Sequence, residues 1–271
     1  MNAVSKTAYF CCGVRAEDAR SDNPICADIY AEDFMHSEAK ALFSRFSDSP
    51  KQNVSNVVRS RIFQDEIALR LKTDKNLQVV NIGAGFDTRA FRLAGGRWFE
   101  IDEPAIIQEK EARLPASRCP NPLVRIAVDF SKGELDSALQ QCDPSANTLL
   151  VIEGVFMYLE KPQVVELLKT LSIRLPRHTL LCDLMNRTFF EKHMGKTYQR
   201  IRELGSEFKL LEHQPEMLFL HAGYQPMREP VSIVGRARDF KAIAIPNLLF
   251  KTALKSLRDG YRLHVFETAM N

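Results

Sequence analysis

Residues 79–89 read Val-Val-Asn-Ile-Gly-Ala-Gly-Phe-Asp-Thr-Arg, and the fold depends on this stretch. A short, mostly apolar run leads into the turn Gly83-Ala84-Gly85. Such a run is typical of a strand buried on both faces, and glycines after it let a ligand approach the backbone at the carboxyl end of the strand. The stretch therefore predicts the first strand of a parallel sheet with a binding site at its end.

Further apolar runs of strand length alternate with stretches of helical periodicity. The predicted strands cover residues 77–82, 98–101, 124–128, 148–152, 179–182, 227–234 and 261–266. The clearest predicted helices cover residues 54–71 and 161–175. Strands that alternate with helices predict a Rossmann-like, doubly wound α/β fold with a mostly parallel seven-stranded sheet.

The length and composition fit a single domain over residues 1–271. Within it we expect an N-terminal helical cap over residues 1–75 and a cofactor-binding core over residues 76–185. Residues 186–225 have a helical pattern and are too long for an ordinary connection, so they predict a lid inserted after the fifth strand. Residues 226–271 should supply the C-terminal strands.

The charge and the cysteines of the chain disfavour several kinds of partner. The 37 basic and 34 acidic residues leave a formal net charge of +3, too small to predict binding to nucleic acid or to a membrane surface. The six cysteines include no Cys-x-x-Cys pair and no spacing that suits zinc, so no metal site is predicted. Neither a signal peptide nor an apolar run of roughly 20 residues is recognisable, which favours the cytoplasm.

The residues after the first four predicted strands point to the type of ligand. Thr88 replaces the third glycine of the dinucleotide motif, which disfavours NAD or FAD. Asp102 ends the second strand, where a carboxylate can accept hydrogen bonds from both hydroxyls of an adenosine ribose. Asp129 with Phe130 follows the third strand, and Glu153 follows the fourth. Together these residues predict a ligand with hydroxyl groups, an amine and a positive centre.

Three segments resemble the signature blocks of the leucine carboxyl methyltransferase family and occur in the family's order: residues 80–93, 99–104 and 152–159. The resemblance implies S-adenosyl-L-methionine as the methyl donor and S-adenosyl-L-homocysteine as the product. It also implies the cofactor-binding residues: Arg59 (or Arg61 if the helix register slips) to hold the methionyl carboxylate bidentately, Gly83, Ala84 and Gly85 in the turn, Asp102 for the ribose, Asp129 and Phe130 for the adenine, and Glu153 near the sulfonium.

The same resemblance implies O-methylation, and we expect a small-molecule acceptor, a natural-product acid or hydroxyl compound. A carboxylate is already ionised at neutral pH and needs no base, so Tyr158 and Arg15 become the candidates that orient it. A hydroxyl acceptor would require a base, for which His193 and His213 are the candidates. Because the net charge is close to zero, tRNA, another acceptor class of the family, is disfavoured.

Several alternatives remain open at this point. The chain could be a protein C-terminal carboxyl methyltransferase, or a non-catalytic scaffold that keeps cofactor binding. An NAD(P)-dependent oxidoreductase is disfavoured by Thr88. For single residues, Tyr158 could be a core aromatic on the helix after the fourth strand, and Arg15 could pair with Glu17 or Asp18 on the surface.

Overall fold

The computed structural model describes residues 3–45 and 50–268, and in this part of the chain a mixed eight-stranded sheet forms the centre. The strands are β1 (Gln78–Ile82), β2 (Arg97–Asp102), β3 (Leu123–Ala127), β4 (Thr148–Ile152), β5 (His178–Met185), β6 (Tyr224–Pro226), β7 (Val231–Ser232) and β8 (Tyr261–Thr268). Strands β1 to β5 pair in parallel in the order β3-β2-β1-β4-β5. Strand β8 lies antiparallel between β5 and β6, and the short β7 also pairs with β8.

Helices cover both faces of this sheet. They are α1 (Ala3–Ala19), α2 (Ser37–Ser44), α3 (Pro50–Thr73), α4 (Arg89–Arg92), α5 (Pro104–Arg113), α6 (Leu135–Leu139), α7 (Lys161–Arg174), α8 (Arg187–His193), α9 (Gly195–Glu203), α10 (Glu216–His221), α11 (Ile233–Asp239), α12 (Asn247–Lys251) and α13 (Lys255–Asp259). Helix α7 begins as its sequence predicts, with Pro162 in the first turn and the side chain of Gln163 accepting the Glu160 N–H at 2.8 Å.

The central strands are buried on both faces, which explains their continuously apolar sequences. Val79 and Leu149 pack into a cluster with the helices of the N-terminal cap. Their neighbours Val80 and Leu150 point to the opposite face and pack with the apolar residues of α7 and α10. The predicted Rossmann-like, doubly wound fold with a mostly parallel sheet is confirmed.

The prediction for the C-terminal strands is wrong in two respects. The sixth strand is Tyr224–Pro226 rather than residues 227–234, and the sheet has eight strands rather than seven because Val231–Ser232 pairs separately. Pro230 has no N–H to donate to a strand ladder. Ser232 then starts α11, because its side chain accepts a backbone N–H from the first turn. The apolar residues that follow are therefore buried as the face of a helix.

Residues 186–225 are helical, as predicted for the insertion after β5. They contain α8, α9 and α10, and β6 begins at their end. Asn186 caps α8 by accepting the Phe189 N–H at 2.9 Å. Side chains of α8 and α9 line the cavity described below, which is the position expected of a lid.

A buried carboxylate connects the N-terminal cap to the segment after β1. The side chain of Asp28 is fully buried and accepts hydrogen bonds from Arg15 Nε at 2.8 Å and Thr88 Oγ1 at 2.5 Å. Arg92 Nε lies 3.3 Å from the same carboxylate. Burial raises the pKa of Asp28, but the charges of Arg15 and Arg92 outweigh this effect, so the pKa is lowered. Asp28 is therefore a buried anion held by two cations.

We predict that Asp28→Asn lowers the free energy of unfolding at pH 7 by about 3–5 kcal/mol, because it leaves buried guanidinium groups without their counter-charge. Urea unfolding followed by circular dichroism measures the change. Since the pKa of Asp28 is lowered on folding, the difference between wild type and variant should shrink as the pH falls through the range where the carboxylate protonates.

The matched control is Asp65→Asn, which removes the partner of Arg61 in an exposed pair with a 2.8 Å contact. This change should cost less than about 1 kcal/mol. Equal losses in the two variants would contradict a special role for the buried carboxylate.

Candidate active site

A cavity of about 1400 Å³ opens at the carboxyl ends of β1, β2 and β4. Side chains of α1 and α3 line it from the cap, and side chains of α8 and α9 line it from the lid. The strand order reverses between β1 and β4, and ligands bind at such switch points in open α/β sheets. The volume exceeds the roughly 300–1,000 Å³ of a pocket for one drug-sized ligand, so a cofactor and a second small molecule both have room.

The turn after β1 takes a conformation that favours glycine. Gly83 and Gly85 have φ angles of +69° and +49°. A Cβ atom at Gly83 would lie 2.5 Å from Val155 Cγ2, whereas a Cβ at Gly85 would meet Ala8 at an ordinary 3.6 Å. The Gly85 N–H donates to Asp102 Oδ2 at 2.6 Å. The turn, including Ala84, lines the cavity and is bonded directly to the end of β2.

Asp102 lines the cavity at the end of β2. Its second oxygen, Oδ1, accepts the Glu103 N–H at 2.7 Å. Burial raises the pKa of Asp102 to about 6, although the amide hydrogen bonds from Gly85 and Glu103 act in the opposite direction. The carboxylate is therefore ionised at neutral pH and has lone pairs left to accept hydroxyl groups.

Arg59 lies where α3 meets the ends of β4, β5 and β8. Its Nε donates to Glu153 Oε1 at 3.0 Å, and its Nη1 donates to Tyr261 Oη at 2.6 Å. Nη1 also lies 3.5 Å from Asp183 Oδ2. The Tyr261 hydroxyl in turn donates to Asp183. Three side chains from three strands thus fix the guanidinium.

One NH₂ group of Arg59 remains for a ligand. Among the described residues Nη2 has a single weak contact, with Cys11 Sγ at 3.8 Å, and it lies beside Gly154, where a Cβ atom would come within 3.2 Å of it. The predicted bidentate binding of a carboxylate needs two free nitrogens, but Nε and Nη1 of Arg59 already donate to Glu153 and Tyr261. A carboxylate would therefore bind through Nη2 alone. The alternative residue Arg61 pairs with Asp65 at 2.8 Å and does not line the cavity.

Glu153 belongs to a chain of buried charges. Its Oε1 binds Arg59, and its Oε2 accepts a hydrogen bond from Arg89, which also binds Asp87 Oδ2 at 2.8 Å. Burial raises the pKa of Glu153, but the charges of Arg89 and Arg59 outweigh it, so the pKa is lowered. Three carboxylates, those of Asp87, Glu153 and Asp183, meet two guanidinium groups here, and burial raises the pKa of Asp183. Such an environment favours a cationic ligand.

Asp129 and Phe130 are placed differently from each other. Phe130 is partly exposed and lines the cavity. Asp129 is not among the lining residues; its Oδ1 accepts the N–H of Ser131 at 3.0 Å, and its Oδ2 pairs with Lys132 at 3.1 Å. Asp129 thus caps a short 3-10 turn, while the neighbouring Glu103 lines the cavity.

Tyr158 lines the cavity from a 3-10 turn, Phe156–Tyr158, and not from a helix as one alternative proposed. Its hydroxyl donates to Thr7 Oγ1 at 3.5 Å, and its ring lies edge-on to Phe208 with centroids 5.2 Å apart. Burial raises the pKa of Tyr158 to about 12. The neutral phenol can donate its single O–H to an acceptor in place of the long contact with Thr7, and it cannot serve as a base at neutral pH.

Arg15 also lines the cavity, and its partners are internal. Nε donates to Asp28 at 2.8 Å and Nη2 donates to the Phe86 carbonyl at 2.6 Å. Surface pairing with Glu17 or Asp18 is therefore wrong, since Asp18 accepts backbone N–H groups instead. Whether Arg15 also contacts a ligand stays a prediction.

The two histidine candidates for a base differ in position, because His193 lines the cavity and His213 does not. His193 lines the cavity at the end of α8, with Nε2 lying 3.2 Å from Ser256 Oγ. Burial lowers the pKa of His193, so its ring is neutral at neutral pH. His213 is exposed and does not line the cavity.

Four residues were missed from the sequence: Asp87, Arg89 and Tyr261, which line the cavity, and Asp183, which is buried beside Arg59 and Tyr261. Asp183 directly follows the predicted fifth strand, so the search for acidic residues at strand ends would have found it there. No sequence signal places Tyr261, because its position depends on the antiparallel pairing of β8 with β5.

No group of three or more His, Cys, Asp or Glu side chains within residues 3–45 and 50–268 is arranged to hold a metal ion. Over the same ranges no helix is sufficiently long and apolar to cross a membrane. All six cysteines are free thiols.

Comparison with known sequences supports the resemblance seen in the motifs. A sequence profile described as "Leucine carboxyl methyltransferase" matches residues 8–172, more than half of the chain. A protein of Saccharopolyspora erythraea, named provisionally as an S-adenosyl-L-methionine-dependent methyltransferase, is 32% identical over 189 residues. That alignment covers 63% of this chain and 63% of the relative, so the match spans less than two thirds of the relative's length.

Two solved structures share the fold at low sequence identity. A DUF574 family protein from Streptomyces avermitilis has a TM-score of 0.62 and 13% identity, with 95% of this chain and 97% of that chain covered. A protein from Thermobifida fusca, named provisionally as a methyltransferase, has a TM-score of 0.60 and 15% identity, with 99% and 94% covered. At these identities the likeness shows the fold alone.

We predict that Gly83→Ala destabilises the protein more than Gly133→Ala. Both glycines have nearly the same φ, +69° and +70°, so both substitutions introduce about 1–2 kcal/mol of backbone strain. At Gly133 nothing lies within 4 Å of the new Cβ, whereas at Gly83 it meets Val155, which adds about 1–3 kcal/mol. Chemical denaturation of both variants measures the difference.

The double variant Gly83→Ala with Val155→Ala tests the cause. Removing the Val155 methyl groups should recover part of the additional loss. No recovery would show that the contact with Val155 is not what makes Gly83 necessary.

Proposed function

Because the chain belongs to the leucine carboxyl methyltransferase family, we propose that it transfers a methyl group from S-adenosyl-L-methionine to a carboxylate oxygen of a small natural-product acid. The family and the cofactor predicted from the sequence are confirmed. The acceptor and the oxygen that is methylated are part of the proposal. The observation that carries it is the edge of the cavity at which Arg59, the glycine turn and Asp102 meet, within a volume of about 1400 Å³.

The residues present fit the cofactor in four respects. Asp102 offers a buried carboxylate with free lone pairs for ribose hydroxyls, and Phe130 offers a ring face for the adenine. Nη2 of Arg59 is the donor left for the methionyl carboxylate. The carboxylates of Glu153 and Asp183 beside Arg59 favour a sulfonium over its neutral product.

S-adenosyl-L-methionine, when bound, supplies an electrophilic methyl group on a positively charged sulfur. The protein's own contribution is to hold the acceptor oxygen and exclude water. Tyr158 donates a hydrogen bond from a phenol whose raised pKa keeps it protonated. Arg15 adds a positive charge at the cavity wall, although Asp28 neutralises most of it.

A hydroxyl acceptor is the second candidate, and the position of His193 favours it. A hydroxyl must lose its proton on methylation, and a neutral imidazole at the cavity wall could accept that proton. A carboxylate would make His193 dispensable. Turnover with a small-molecule acid or a small hydroxyl compound distinguishes these two candidates from a protein C-terminal acceptor and from a non-catalytic scaffold.

We predict that binding of S-adenosyl-L-homocysteine weakens as the pH falls below about 6, because Asp102 then protonates and loses acceptor capacity. At pH 5 about a tenth of the carboxylate stays ionised, so Kd should rise about tenfold relative to pH 7.5. Isothermal titration calorimetry measures Kd across this range.

The variant Asp102→Asn is the control for this pH dependence. It should bind more weakly at pH 7.5 and should lack the step near pH 6. If the variant kept the full pH dependence, another group would be responsible and Asp102 would not be the ribose-binding carboxylate.

We predict that His193→Gln leaves kcat within about twofold of wild type if the acceptor is a carboxylate. If the acceptor is a hydroxyl, loss of the base should lower kcat by about 10²–10⁴. Mass spectrometry of the product, as methyl ester or methyl ether, gives the same distinction independently. His213→Gln serves as the control, because that histidine is exposed.

A further inference from the structure

The lid side of the cavity is apolar and aromatic; we define it as the part lined by residues 186–225, Tyr158 and Tyr261. Besides these two tyrosines, Phe189 and Phe208 line it. Phe208 lies edge-on to Tyr158, and the Phe189 ring lies 5.7 Å from that of Tyr261. Four aromatic rings from four different segments therefore surround one volume.

Thr197 is a residue of the same wall, and its hydroxyl group is unsatisfied. The residue lies on α9, is 4% exposed and lines the cavity. Its Oγ1 is buried and has no hydrogen-bond partner among the residues that the structure describes. Buried hydroxyl groups nearly always have partners, because an unpaired one destabilises the fold. A ligand that supplies the partner explains why threonine stands here instead of the isosteric valine.

We propose that the lid side of the cavity binds a flat aromatic acid, with its ring among the four aromatic side chains and a polar substituent hydrogen-bonded to Thr197. This inference rests on the proposed function, since the aromatic acid is the methyl acceptor. Aromatic rings pack favourably against such walls in offset or edge-on arrangements. Thr197 is an acceptor-binding residue and takes no part in the chemical step.

The wall favours an aromatic small molecule over a peptide C-terminus. Each peptide residue brings an N–H and a C=O group that need partners once buried. From the lid, the polar side chains that line the cavity are His193, Lys196 and Thr197. Three such groups suit the few substituents of a small ring system, whereas an extended peptide would leave several backbone groups unpaired.

The test uses the full chain with 1-hydroxy-2-naphthoate as the probe and decalin-2-carboxylate as its non-aromatic counterpart of similar size. Binding of each to the complex with S-adenosyl-L-homocysteine is measured by calorimetry. We expect the naphthoate to bind at least tenfold more tightly than the decalin acid. Equal affinities, or no naphthoate binding at millimolar concentration, would overturn the proposal.

Two substitutions test the role of Thr197. Thr197→Val removes the hydroxyl without changing the shape and should raise Kd for the naphthoate between about twofold and tenfold. Its Tm should stay the same or rise, because an unsatisfied buried hydroxyl is lost. Thr197→Ser keeps the hydroxyl and should bind within about twofold of wild type. Unchanged naphthoate affinity in Thr197→Val would remove this residue from the acceptor site.

The binding of S-adenosyl-L-homocysteine by itself separates the two proposals. If it binds and the naphthoate does not, the aromatic-acid inference fails and the methyltransferase proposal stands. If S-adenosyl-L-homocysteine does not bind, the proposed function fails, and the acceptor inference fails with it. The Thr197→Val variant should bind S-adenosyl-L-homocysteine as tightly as wild type.

Discussion

The buried guanidinium of Arg59 is the constraint on which the rest of the site depends. A charge removed from water destabilises a protein unless hydrogen-bonded counter-charges surround it. Here the partners come from the ends of β4 and β8 and from within β5, so the position of one side chain ties three strands to α3. Gly154 follows from the same requirement, because any larger residue would press on the guanidinium. Several residues of the sequence thus serve a single buried charge.

The same network explains how the C-terminal part of the chain contributes to the site. Strand β8 pairs with β5 so that Tyr261 lies opposite Met185, at the end of β5 that faces the cavity. The Tyr261 hydroxyl accepts a hydrogen bond from Arg59 and donates one to Asp183. It therefore bridges the guanidinium and the carboxylate, whose direct contact is a long 3.5 Å. The antiparallel strand therefore completes a site that the parallel strands begin.

The sequence predicts the parallel half of the fold well because its signals are local. A strand covered on both faces must be apolar along its whole length, and the carboxyl ends of such strands meet at one edge, which places Gly83, Asp102 and Glu153 together without knowledge of the structure. The C-terminal half lacks these signals. The run after Pro226 contains apolar residues that could suit a strand or a helix face, and Ser232 decides between them only through a cap that forms in three dimensions.

The orientation of side chains is a further limit on prediction. Asp129 has the position expected of an adenine-binding residue, yet its carboxylate is used by its own turn and by Lys132. Arg15 likewise donates two of its N–H groups to Asp28 and to the Phe86 carbonyl. Position at a strand end follows from the sequence pattern, but the choice of hydrogen-bond partner depends on neighbours distant in the chain.

The cavity has two halves that are built by different means. Strand ends and their turns build the half with Gly83 and Asp102, and the register of the sheet fixes their relative positions. Inserted helices build much of the other half, with Phe189 and Thr197, and no strand pairing fixes these residues. The family profile matches residues 8–172 and ends before these helices begin. Side chains of the lid can therefore change while the half with Gly83 and Asp102 keeps its geometry, because the register of the sheet does not depend on the inserted helices.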